Sequence, residues 1–115
     1  MKKKILLSLL FVCLVFVPFA YAHPPKDIEI SYDPATKMLT ALILHDTSNP
    51  SGHYIKRVDV GLNGKEIIRE EISKQDNNNF QKVIYFIPDV KAGDKLSVEG
   101  YCSVSGKLER EITAE

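Results

Sequence analysis

In 115 residues the chain balances 15 Lys+Arg against 15 Asp+Glu, enough for one small domain with an adequate core. Lys2, Lys3 and Lys4 stand apart at the start, so from residue 23 onward 12 basic residues face 15 acidic ones, a net charge of −3. That balance argues against a nucleic acid or an anionic membrane surface as partner.

Residues 1–22 have the pattern of a cleaved export signal. A lysine cluster precedes the apolar run Ile5 to Ala20, and Ala20-Tyr21-Ala22 has the small-x-small form that a signal peptidase cuts after. At about sixteen residues the run is short for a membrane span. Cys13 lacks the context of a lipidation site. The expected mature chain is therefore residues 23–115, starting at His23, without lipid or membrane span, and periplasmic or secreted. It keeps one cysteine, Cys102, which in an oxidising compartment is an inter-chain bridge, a used thiol or an inert buried residue.

From His23 the chain reads as strands and turns. Ile28, Ile30 and Tyr32 alternate with Asp27, Glu29 and Ser31 as a half-buried strand, and Asp33-Pro34-Ala35-Thr36 turns it. Met38 to His45 is a second strand. After the polar loop 46–52, Val58, Val60 and Leu62 alternate with Arg57, Asp59 and Gly61, and Asn63-Gly64 signals a hairpin into Glu66 to Ile72. A helix over Glu66 to Lys74 would deprive that turn of its partner strand. Lys74 to Asn79 is a polar connection, Phe80 to Ile87 a fifth strand, and Pro88 to Asp94 a turn-rich link. Leu96, Val98, Gly100, Cys102 and Val104 alternate as a sixth strand, Ser105-Gly106 turns it, and Leu108, Arg110 and Ile112 open a seventh. Seven short strands without a helical period predict an all-β, immunoglobulin-like β-sandwich in a single domain.

The candidate chemistry is metal binding. His45 ends one strand and His53 begins the next, so both imidazoles lie at one end of the predicted sandwich, where loops cluster. Imidazole is the commonest protein ligand for a transition metal, although a histidine on such a polar loop is equally an ordinary solvated residue. Cys102 closes the apolar face of the sixth strand; it joins the histidines if that strand ends beside their loop, and is otherwise a small buried hydrophobe. His23, tethered by Pro24-Pro25, reads as a flexible terminal residue that could reach either end. The pairs Glu70-Glu71 and Glu109/Glu111 read as solvated strand faces. No phosphate loop, hydrolase triad, zinc-finger cysteine pair or repeat is present.

The runs His45…His53-Tyr54-Ile55 with Val58-Asp59-Val60, and Tyr101-Cys102-Ser103-Val104-Ser105-Gly106, resemble the two iron-site segments of the superoxide reductase (desulfoferrodoxin/neelaredoxin) catalytic domain. The likeness spans about residues 38 to 112. It implies an immunoglobulin-like sandwich with non-haem iron held by equatorial histidines and an axial cysteine: His45 and His53 as equatorial ligands, Cys102 as the thiolate, and His23, with Lys26 nearby, in place of the family's N-terminal-loop histidine. Ser105 stands where the family has a further histidine, so altered iron binding is expected.

Two function classes follow, with a third reading beside them. The first is an exported metalloprotein, iron by resemblance and copper or zinc by donor type, that reduces superoxide with an external electron-donor protein. The second is a non-catalytic sandwich scaffold that binds a partner protein. The third uses the mature N-terminus: the amine and ring of a first-position His23 chelate copper, with a second histidine completing a three-nitrogen set.

Overall fold

The computed structural model describes residues 23–115; the expected signal segment 1–22, with Cys13, lies outside the described residues. Seven strands form in chain order: β1 Asp27–Asp33, β2 Met38–Leu44, β3 Ile55–Leu62, β4 Lys65–Glu71, β5 Phe80–Phe86, β6 Lys95–Cys102 and β7 Lys107–Thr113. No helix occurs among the described residues, and so none that is long and apolar enough to cross a membrane. The strands make two antiparallel sheets, one ordered β1-β2-β5 and the other β4-β3-β6-β7.

Alternation in the sequence becomes alternation in burial. Along β2, Leu39, Ala41 and Ile43 are fully buried while their neighbours are half-exposed, and Leu96 and Val98 do the same on β6. These side chains join Ile28, Val83, Ile55, Val58 and Val60 in one core drawn from both sheets, which makes the architecture β-sandwich-like. Each fully buried Leu, Ile or Val contributes about 1.5–3 kcal/mol relative to an exposed one.

Two turns follow from single residues. Leu62 pairs with Lys65 across a two-residue loop in which Asn63 (φ 51°) and Gly64 (φ 84°) are both left-handed, the conformation that a type I′ hairpin demands. Gly106 (φ 87°) reverses the chain between β6 and β7. The register shifts at Val60/Gly61 and at Ile55/Arg57 leave Ile67 and Lys56 unpaired opposite the partner strand, so β3 is kinked beside its first residue. The sixth strand ends at Cys102, earlier than the alternation predicts: Val104 lies in the turn and is 54% exposed.

Antiparallel pairing fixes which ends meet. Asp27 at the start of β1 pairs with Leu44 at the end of β2, and Ile55 at the start of β3 pairs with Cys102 at the end of β6. His23, His45, His53 and Cys102 therefore all lie at one end of the molecule.

Candidate metal centre

The 45–54 loop is held by its own backbone and by the connection that follows β4. His45 and Thr47 donate their amide N–H groups to Asn79 O and Asn78 O (2.9 and 2.8 Å), and Gly52 and His53 both donate to Asn49 O (3.0 and 2.8 Å). At the far side Tyr54 N donates to Ser103 Oγ and Ser103 N to Tyr54 O (3.0 and 2.8 Å), tying the loop to the end of β6. The loop is polar in composition yet fixed in place, because these amides are paired with neighbouring segments.

The three histidines meet there. Their ring centroids form a nearly equilateral triangle, 4.9 Å from His23 to His45, 4.9 Å from His23 to His53 and 4.8 Å from His45 to His53, with the rings tilted or edge-on. One donor atom from each lies within 4.8 Å of the others. Nitrogens bound at about 2.0–2.1 Å to one ion stand about 3–4 Å apart, so small side-chain rotations close the triangle on a metal. His45 is completely buried, while His23 and His53 line a cleft of about 600 Å³ shared with Asp46, Thr47, Ser48, Asn49, Asn78 and Asn79.

Gln75 sets the proton arrangement of His45. Its Nε2 donates to His45 O and Asn77 O (2.8 and 2.9 Å), and its Oε1 accepts from Ile55 N (3.1 Å), which fixes the amide's orientation. Oε1 is also 2.8 Å from His45 Nδ1, so Nδ1 must carry the proton and Nε2 must carry the lone pair. His45 Nε2 and His53 Nε2 are both buried without a hydrogen-bond partner. A buried imidazole oriented through one nitrogen and unpartnered at the other has the form of a metal ligand with its outer support in place.

The electrostatics favour the neutral, metal-ready state. Burial holds the His45 imidazole below its usual protonation range, against the opposing pull of Gln75. Burial does the same for His53, with His45 and His23 adding to it. The hydrogen bond and ion pair from Lys26 (2.7 Å) keep Asp46 ionised, and Asn79 also donates to it (3.3 Å).

His23 is held from behind rather than left loose. Pro25 is buried, with its ring close to Gly100, and Pro24 sits so near Gly106 that a Cβ there would lie 3.0–3.1 Å from its backbone. Lys26 N donates to Leu44 O (2.7 Å), and Asp27 pairs with Arg110 of β7 (3.0 Å).

Cys102 is buried (3% exposed) opposite Ile55, two residues beyond His53, and is a free thiol. It is not a member of the three-histidine group. The sequence placed His45 and His53 at one end, let Cys102 join them only if its strand ended beside their loop, and left the position of His23 open; Gln75 gave no signal, lying in a polar connector without periodicity. Comparison with known proteins finds no match: no family model, no curated protein and no solved structure is similar to this chain.

Proposed function

We propose that this chain is an exported protein of immunoglobulin-like sandwich form that binds one transition-metal ion through His23, His45 and His53. The observation that carries the reading is His45: fully buried, its tautomer fixed by Gln75, its Nε2 without a hydrogen-bond partner, and its ring 4.8–4.9 Å from two other imidazoles. Three neutral imidazoles suit copper, zinc or iron, and the cleft beside His23 and His53 leaves room for a small ligand. The test is metal analysis of the exported protein purified without chelators, together with His45→Ala. One equivalent of a transition metal, lost in the variant, supports the reading; a metal-free protein refutes it and favours a partner-binding scaffold.

A second reading is favoured by Cys102, which lies opposite Ile55 at the same end. Iron held there by imidazoles and the Cys102 thiolate would supply one-electron chemistry of the superoxide reductase type, with an external protein as electron donor. Cys102→Ala separates the two. A visible thiolate-to-iron absorption lost in this variant establishes the iron reading; unchanged metal content establishes the all-nitrogen site.

A further inference from the structure

We infer that the main-chain nitrogen of His23, as a free amine in the processed chain, is a fourth nitrogen donor of this site and that the metal it selects is Cu(II). The inference rests on the three-imidazole reading above, and four observations on this chain lead to it.

The first is position. The His23 ring is in the triangle, 4.9 Å from both partners, so its own backbone nitrogen is only a side chain's length from the same point. The second is restraint. Segments next to a chain end usually fray unless something holds them, yet Pro24, Pro25, Lys26 and Asp27 are each fixed against Gly106, Gly100, Leu44 and Arg110. The third is the sequence ahead of His23, where Ala20-Tyr21-Ala22 is a signal-peptidase pattern ending at the Ala22–His23 bond. Hydrolysis of that bond adds the OH of a water to the Ala22 carbonyl carbon and its hydrogen to the His23 nitrogen, leaving a carboxylate and an α-amine.

The fourth observation is the pair of prolines. An N-terminal Cu(II) chelate ordinarily continues along the chain by displacing the protons of the next amides. Pro24 and Pro25 carry no N–H, so that route is closed. The donors left are the amine and ring of His23, which close a chelate within one residue, and His45 and His53. Four nitrogens around one ion are the donor set of a tetragonal Cu(II) site. An α-amine with its usual pKa of about 7.7–8.0 gives up its proton to water at little cost on binding. His23 Nδ1 lies 3.1 Å from Pro24 O, so a chelate closed through the amine and Nδ1 requires the ring to turn away from that carbonyl.

The experiment expresses the whole precursor in an exporting host and reads the mature N-terminus by mass spectrometry. Cu(II) is then the probe for two proteins, the native one and one with Ala-Pro-Pro inserted between Ala22 and His23, so that the new terminal amine is followed by residues without an N–H and cannot close a chelate onto the His23 ring. Affinity comes from competition with a chromophoric chelator, ligation from electron paramagnetic resonance, and proton release from calorimetry in two buffers. The expected result is an N-terminus at His23, a loss of about tenfold or more in Cu(II) affinity on insertion, altered copper hyperfine splitting, and roughly one fewer proton released per copper near neutral pH. Pulsed electron paramagnetic resonance of the native protein, resolving a directly bound amine nitrogen from the imidazoles, tests the ligation even if the insertion perturbs folding. Equal affinity and equal proton release would overturn the amine inference while leaving the three-imidazole site standing. A mature N-terminus other than His23 would overturn it as well, and absence of Cu(II) binding by both proteins would remove the inference together with the site.

Discussion

A single glutamine organises the proposed ligands. Gln75 is 1% exposed and bonds to His45 twice, to Ile55 and to Asn77, so it joins the end of β2, the start of β3 and the connector after β4. In Gln75→Leu these buried partners lose their bonds; at about 1–3 kcal/mol for an unsatisfied buried group, the variant is expected to lose several kcal/mol by urea unfolding, with partial relaxation reducing the sum. Metal affinity should fall about 10–100-fold because the His45 tautomer is no longer fixed. Gln75→Glu keeps the acceptor for Nδ1 but not the donors, and should retain more metal affinity than the leucine variant. The histidines also give the metal-free protein a defined pH response. Burial lowers the folded pKa of His45 and His53 below the ordinary 6.5, so below that pH the unfolded chain binds more protons than the folded one. Their contribution to stability is complete above 6.5 and is lost as pH falls through the depressed folded values. Thermal unfolding of the chelator-treated protein from about pH 8 to about pH 5 should show a plateau and then a decline, shallower in His45→Ala. His45 and His53 were legible as candidates because a short polar loop separates them. Gln75 was not, since nothing in Lys74 to Asn79 distinguishes an inward glutamine from a solvated one.

Among the elements, the segment before β1 and the turn after β6 act together on the site. Gly106 needs its left-handed φ of 87° for the turn, and it also leaves space for Pro24, whose atoms lie 3.0–3.1 Å from where a Cβ would be. Gly64 has a similar φ of 84° but nothing within 4 Å of a Cβ. Alanine at either position costs about 1–2 kcal/mol for the left-handed backbone. Only Gly106→Ala pushes Pro24, and with it His23, away from the triangle. A larger loss of stability in Gly106→Ala than in Gly64→Ala, with weaker metal binding in Gly106→Ala alone, measured by denaturant unfolding and metal titration, is the expected outcome. The strands themselves were readable because one face of each is buried, which imposes period-two alternation. Val104 continued that alternation in the sequence but belongs to the turn, because pairing with β7 ends at Tyr101 and Cys102 N instead bonds to Gly106 O (3.0 Å). The unpaired Lys56 beside the site left no trace either, since a bulge depends on both strands at once.

At the scale of the whole chain, two sheets around one core hold the ends of β2 and β6 and the starts of β1 and β3 together, and the candidate ligands are grouped there. Strand count and all-β class were accessible from spacing and alternation. The convergence of His23 with the other two was not, because the diproline segment could have run toward either end until the Pro24–Gly106 and Lys26–Leu44 contacts were known. The central claim is that these three imidazoles hold one metal ion. Anomalous X-ray diffraction from crystals of the purified protein, collected across the copper, zinc and iron absorption edges, tests it most directly. One strong peak among the His23, His45 and His53 rings, within bonding distance of His45 Nε2, is the result expected. Clear density for the three rings with no anomalous peak between them, or a peak bound only elsewhere, would contradict it.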